Sequence, residues 1–507
     1  MVDNFRARFD DWINPVVVKE LRQAVQSRFV VAALLVLLGI QLLAIGIYLI
    51  RQGTTLLDFD AGRSVFMFLY AILLFVSVFF VPLYAAIRLT AERSDANVDL
   101  LFVTTIKPRS IISGKIIAAA IISILVFSAC MPFMVFTYFL RGIDLPSIFI
   151  VLALGFVVVI AAAQMAIFAA CLPGSRVFKM LLGVTTLIVL LIIFMMVMAE
   201  SGGLIQFGIG SRLIEWEFWK GVLGFLGFLG LLGGIFYSLA VALIKPVAAN
   251  RALPVRIFIT IAWAVLGAGV MLVSFRDKNH TPVIYWQIFL NCIFGMALFV
   301  AVSERPRLGR RVLAAIPDSR VKRALVFPFY SGSASGLFWT CTGIGLTQTA
   351  AWLWSRFFPT FNNLGDLSGS RKWIGAMCLY FFCYAMSAAL LRRRLLSGVT
   401  SDLTWLISLI FIGCGSVIPF MIGYLLYFGD HWWDQDVYNW LVGNPFAWND
   451  KSDMYLGVAV VWAGIIALFN LPWFIRSVRG FRPTRRKGEA KKRDYEIYEN
   501  NETYEIS

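Results

Sequence analysis

The sequence predicts an all-α integral membrane protein with about twelve transmembrane helices, and three observations carry that expectation. Of 507 residues, 60% are hydrophobic and only 15% are charged, with a mean hydropathy of +0.79. Soluble globular chains carry charge on about a quarter of their residues, so that class is excluded. Apolar runs of ~18 or more residues, the length needed to cross a bilayer, recur along nearly the whole chain. Lysine and arginine gather in alternate loops between those runs, the pattern of a chain threaded repeatedly through a membrane.

Spans are predicted over 29–50, 64–87, 111–139, 146–172, 177–199, 219–244, 254–275, 282–302, 336–357, 373–391, 403–427 and 454–475. The first run is too long for a signal-peptide core and has no small-residue cleavage site after it, so it is read as a retained span. With the N-terminus in the cytosol, 34 of the 45 Lys and Arg residues fall in inner segments and 11 in outer loops, whereas Asp and Glu divide 16 to 13. Both termini are then cytosolic, in a multi-pass protein of the cell (inner, cytoplasmic) membrane. The net charge of +16 reflects this topology and contact with anionic membrane lipids rather than a nucleic-acid partner. The chain thus divides into four regions: 1–28, 29–250 with six spans, 251–475 with six more, and a tail over 476–507 whose basic run and lack of apolar periodicity predict disorder.

Ahead of the first span, Asn14 and Pro15 form a helix start, a capping residue followed by proline at the first helical position. Val17, Val18, Leu21, Ala24 and Val25 then share one face and Lys19, Arg22 and Gln26 another, which predicts an interfacial helix. Such a helix either anchors the chain on lipid or helps to hold a cytosolic partner. Between the second and third spans, Arg88–Lys115 carries an acidic face (Glu92, Asp95, Asp99) and an apolar face (Val98, Leu101, Phe102, Thr105). At 100° per residue these faces centre about 100° apart, as on a short amphipathic helix lying along the inner membrane surface. A Pro-Arg-Ser turn and the step Gly114-Lys115 then lead back into the membrane.

The order Glu92-Arg93, Asp99-Leu100-Leu101, Thr104 and Gly114-Lys115 resembles the cytosolic loop of ABC-2 type transporter permeases. The run NPVVVKELRQ, with Asn14, Pro15, Lys19, Glu20, Leu21 and Arg22, is similar to the N-terminus of many such permeases, in particular the branch related to multicopper-enzyme maturation permeases. The resemblance covers residues 10–250 and implies an ABC-2 (type V exporter-like) permease core in the N-terminal half. It further implies that the 88–115 loop carries a coupling helix seated in a cleft of a separate ABC ATP-binding subunit, and that Gly114 and Lys115 mark the start of the third span. Residues 200–220 would form short re-entrant helices closing an outer gate, with Trp216, Phe218 and Trp219 as the gate candidates. The permease would pair with a second copy of itself or with a second permease.

The rest of the chain bears on the same reading. No Walker-A pattern is present, since Ser113-Gly114-Lys115-Ile116 lacks the upstream glycine and the following Ser or Thr. No cofactor is expected on this chain, and ATP would bind the partner. The predicted spans carry neutral polar residues (Gln41, Gln164, Gln287, Asn291, Gln348, Asn470) and no ionisable residue near their middles. That is unlike a proton- or ion-coupled transporter and like helix–helix adhesion. Seven cysteines without a CxxC pair, and two histidines far from them, exclude a zinc site or disulfide framework. Gly230 and Gly234 make a GxxxG step in the sixth span. The last outer loop gathers Asp430, His431, Asp434 and Asp436 beside Trp432, Trp433 and Trp440. Paired acids among aromatics open a second class, a membrane enzyme acting on lipid-linked substrates; a non-transporting envelope scaffold is a third. Finally, Ser303-Glu304-Arg305 follows the eighth span as Ala91-Glu92-Arg93 follows the second, and both lead through basic turns (Ile316-Pro317, Lys107-Pro108) towards the next span. This parallel raises the prospect of an internal duplication.

Overall fold

A computed structural model describes residues 15–52, 61–92, 107–140, 142–246, 249–304, 309–361, 367–396, 398, 400–426, 442–446 and 452–483. Every described element is helical, and the chain divides into two compact units, residues 1–246 and 247–507. Eleven described helices are long and apolar enough to cross a membrane, so the protein is an all-α polytopic membrane protein.

In the first unit, α1 (Pro15–Gln26) precedes six long helices: α2 (Arg28–Gln52), α3 (Ala61–Glu92), α4 (Pro108–Phe139), α5 (Leu145–Cys171), α6 (Arg176–Phe207) and α7 (Trp216–Ile244). α3 and α5 form the centre. α3 packs against α2, α4, α5 and α6, and α5 packs against α4, α6 and α7. Their shared core includes Tyr70, Leu73 and Leu74 of α3 and Ile148, Val159 and Ile167 of α5, all fully buried. α7 reaches α5 at Gly233, where an added Cβ would run into Gln164 Oε1; at Gly230 the same atom would meet open space. Close approach therefore occurs one residue away from the GxxxG step.

The second unit holds α8 (Ala252–Asp277), α9 (Thr281–Ser303), the short α10 (Arg310–Ala314) and α11 (Arg320–Val326), α12 (Ser333–Phe357), α13 (Leu367–Arg394), α14 (Thr404–Leu426) and α15 (Ser452–Gly480). α9 and α13 are central here. α9 packs on α8, α12, α13 and α14, and α13 on α14 and α15. The stretch Val442–Phe446 is non-helical yet sits beside the middles of two helices: Tyr384 Oη of α13 donates to Gly443 O at 2.7 Å, and Phe446 meets Phe381.

Several expectations are corrected. The ninth predicted span, 336–357, lies in α12, but that helix is not among the eleven apolar ones. It carries Thr340, Thr342, Thr347, Gln348 and Thr349 together with three tryptophans; Thr340 and Thr349 bond to carbonyls of their own helix, and several of the others bond to neighbouring helices. Trp339 Nε1 donates to Thr260 Oγ1 (3.1 Å), Trp263 Nε1 to Thr347 Oγ1 (2.9 Å) and Trp354 Nε1 to Ser274 Oγ (3.0 Å), all between α8 and α12. Gln348 bonds to Gln287 of α9 and reaches Cys378 of α13. Of the amides predicted as helix–helix adhesion, Gln287 and Gln348 join helices here and Asn470 of α15 binds Arg393 of α13, whereas Gln41 and Asn291 are buried without a hydrogen-bond partner among the described residues.

α6 continues to Phe207 and α7 starts at Trp216, so 200–220 contains no re-entrant helices, only a 3₁₀ turn at Gly210–Arg212. That turn is tied to the start of α5, where Asp144 caps the helix and accepts from Gly210 N, and Ser147 Oγ accepts from Ile209 N. Local capping thus gives the chain a short connection in place of a dip into the bilayer. The expected tail begins later than residue 476, because α15 runs to Gly480 and Phe481 is buried against Phe327 and Tyr330. Residues 484–507, and the acids Asp430, Asp434 and Asp436 with His431, lie outside the described residues.

Candidate functional site

Pro15 opens α1 as expected, but the buried stripe of this helix is Val17, Glu20 and Ala24, while Val18 and Val25 are exposed. The spacing i, i+3, i+7 is a proper helix face, rotated from the all-apolar face so that it includes a glutamate. α1 lays that stripe on α4. α4 begins at Pro108, so Gly114 and Lys115 lie in its second turn rather than at its start. There Lys115 falls on the stripe Ile111, Ile112, Ala118, Ala119, which is buried against the unit. Likewise α3 outruns its predicted end at 87, making Glu92 its last helical residue.

The rotated face of α1 and the two extended helices bring four charges together. Lys115 Nζ lies 2.6 Å from Glu20 Oε1 and 2.8 Å from Glu92 Oε2, and Lys19 Nζ lies 2.6 Å from Glu92 Oε1. The Lys115 and Glu20 side chains are 2% and 6% exposed, so each needs the other. An unpaired buried charge costs several kcal/mol, about 3–5 when one partner of a pair is removed. Glu92 stands at the C-terminal end of α3, the helix end that disfavours a negative charge, and the two lysines beside it offset that penalty. The cluster has two cations and two anions and joins α1, the end of α3 and the start of α4. Leu21 is half-buried and Arg22 exposed on α1. Asn14, Arg93, Asp95, Asp99, Leu100, Leu101 and Thr104 lie outside the described residues.

The gate candidates occupy the first turn of α7. Trp219 Nε1 donates to Leu213 O at 2.8 Å, Phe218 stacks edge-on with Trp219 at 5.5 Å, and Phe218 also packs on the core of the unit. They form a fixed aromatic collar over the α6–α7 connection.

A second charged centre lies in the other unit. Arg256, buried in the second turn of α8, donates from Nη1 to Pro328 O (2.8 Å) and Tyr330 O (2.6 Å), and from Nη2 to Glu304 Oε1 (2.5 Å). Glu304, immediately past α9, accepts from Gly332 N at 2.5 Å, and Gly332 is the cap of α12. Its φ of +140° suits only glycine. Burial pushes the Glu304 carboxyl above the usual range, opposed by the Arg256 guanidinium and the Gly332 N–H. Gly336 keeps this centre open, since a Cβ there would lie 2.6 Å from Ala301 Cβ and 2.7 Å from Arg256 Nη2. Beside it Val312, Ile316, Phe327, Tyr330, Ala334 and Phe481 cluster, holding α10 against the α11–α12 turn. The segment after α9 therefore runs through α10 and α11 before α12, and Ile316-Pro317 does not lead directly into a long helix as Lys107-Pro108 does. The sequence pattern flagged Glu304 but neither Arg256 nor Gly332. The available signal was an arginine inside an apolar run, which demands a buried partner.

No known protein family, no curated protein and no solved structure matches this chain.

Proposed function

We propose that this chain is the membrane-spanning permease subunit of an ATP-driven ABC transporter, with an ABC-2-like core in residues 29–250. ATP is bound and hydrolysed on a separate ABC ATP-binding subunit, and this chain is not itself an enzyme. The protein sits in the cytoplasmic membrane with both termini in the cytosol, as its basic-residue asymmetry favours. The observation that carries the reading is the Lys19–Glu92–Lys115–Glu20 cluster. It welds the interface helix to both ends of the loop that resembles a coupling segment. A push on that loop then passes as a rigid movement into α3 and α4, and α3 bears directly on α6. Closure of paired ATP-binding subunits would tilt α2 and α3 relative to α6 and move a substrate across or along the membrane. Spans without mid-depth ionisable residues suit an external motor better than an ion gradient.

The test is affinity purification of the full chain from membranes, with the bound subunits identified by mass spectrometry and ATP-dependent transport measured in vesicles. An ATP-binding subunit is expected to co-purify and to be lost in Asp99→Arg, a charge reversal on the loop outside the ion cluster. Transport that is abolished by an ionophore and indifferent to ATP would overturn the assignment.

A further inference from the structure

We infer that residues 249–483 repeat the fold of residues 15–246, so that one copy of this chain supplies both halves of a paired permease and takes no second permease. Numbering the long helices one to six within each unit, the second helix packs on the first, third, fourth and fifth in both. The fourth packs on the fifth and sixth, and the third also touches the sixth. Chain connectivity explains neighbours such as one–two or four–five. It does not explain the shared skips two–four, two–five, three–six and four–six. Both units place their second and fourth helices at the centre, and in both the sixth closes on the fourth.

The charged centres share a glutamate on this map but differ in their cations, Lys19 lying on α1 ahead of the six helices and Arg256 on the first of them. In each unit a glutamate at the end of the second helix, Glu92 or Glu304, reaches the beginning of the third. Glu92 does so through the Lys115 ammonium and Glu304 through the Gly332 N–H. Each is also bound by a cation from an element N-terminal to its own helix, Lys19 of α1 or Arg256 of α8. The units also differ: in the first the backbone of the third helix packs closely on the fourth and on the first, contacts not prominent in the second, and the second unit carries the short α10 and α11 ahead of its third helix. Each unit holds six long helices, and internal repeats are a recognised way of building transporters from one chain. Glu92 and Glu304 are positioning residues that hold the third helix of their own unit.

This inference rests on the permease reading only for what the pair does; the repeat itself is tested separately. The full chain is placed in lipid nanodiscs and its copies per particle are counted by native mass spectrometry. One copy is expected, and two copies would overturn the pairing. In parallel, a cysteine is added at Ile111 or at Ala334, both buried at the start of a third helix, and labelled with a membrane-impermeant maleimide above the background of the native cysteines. Glu92→Gln should raise labelling at 111 several-fold and leave 334 unchanged, and Glu304→Gln the reverse. Should Glu304→Gln not accumulate in membranes, Glu304→Asp, which keeps the charge and shortens its reach, replaces it. A glutamate whose loss leaves its own third helix protected would overturn the equivalence. Bound ATP-binding subunits separate the two readings. One chain without them keeps the repeat and removes the transporter assignment, and two chains with them does the opposite.

Discussion

Replacing Lys115 with methionine should release the interface helix. Lys115 and Glu20 are 2% and 6% exposed and 2.6 Å apart, so Lys115→Met leaves the Glu20 carboxylate buried without the cation it pairs with among the described residues. Removing one partner of a buried pair costs about 3–5 kcal/mol. The apolar anchorage of α1 is small, because Val17 and Ala24 are its only buried hydrophobic side chains; together they supply roughly 2–3 kcal/mol. The penalty therefore matches or exceeds the anchorage, and α1 should leave α4 while the spanning helices stay folded. The assay places a cysteine at Val17, 4% exposed, and follows its labelling by a membrane-impermeant maleimide together with thermal unfolding in detergent. Lys115→Met should raise labelling by an order of magnitude or more. Glu20→Met combined with Lys115→Met should restore most of the protection, because methionines fill the space and leave no lone charge. Unchanged labelling in the single variant, or a double variant as labile as the single, would refute the claim that the orphaned carboxylate sets the cost.

Three further outcomes are expected. On α12, Gly336→Ala should lower stability by about 1–3 kcal/mol, as overpacking does, because its Cβ meets Ala301 and Arg256. Gly345→Ala, which meets nothing within 4 Å, should be neutral or mildly stabilising, and thermal melts of the two variants decide. A double-mutant cycle of Trp263→Phe and Thr347→Val should return a coupling of about 0.6 kcal/mol and no more than ~1.7, the range for hydrogen bonds between membrane helices. Reporter fusions at the N-terminus, after Arg394 and at the C-terminus should read as cytosolic and one near Asp436 as external, as the basic-residue asymmetry requires; an external C-terminus would break the twelve-span count.

The helices themselves are plain in the sequence, because each long apolar run must be a helix once water is absent. Their ends are less so. Polarity rises after residue 87 and predicts an end to the second span there, yet α3 continues to Glu92 because Glu92 finds cations in elements distant in the chain. The same blindness hides Glu20, which looks like a surface residue until Lys115, 95 positions later, is seen beside it. Hydropathy sums along the chain, whereas these partners are set by tertiary packing. α12 shows the converse case: the sequence predicts a span over 336–357, yet its threonines and tryptophans keep it out of the eleven apolar helices, and Trp339, Thr347 and Trp354 bond instead to α8. Arg256, Glu304 and Gly332 form a centre whose members come from three separate segments, and only the glutamate stands out in the sequence.

The bonding of α12 also sets an order of assembly. Most partners of its polar contacts, Thr260, Trp263, Ser274 and Gln287, precede it in the chain, while Arg371 and Cys378 of α13 follow. During synthesis α8 and α9 have therefore left the ribosome before α12 emerges. A helix with this many hydroxyls and amides gains little by moving alone from the translocon into lipid. It gains much by sliding onto a waiting protein surface that already offers indoles and side-chain oxygens. Biogenesis of the second unit is thus vectorial: its most polar helix can be handed over only after its hosts are in place, and a truncation removing α8 would leave α12 stalled at the insertion channel, where quality-control proteases find their substrates.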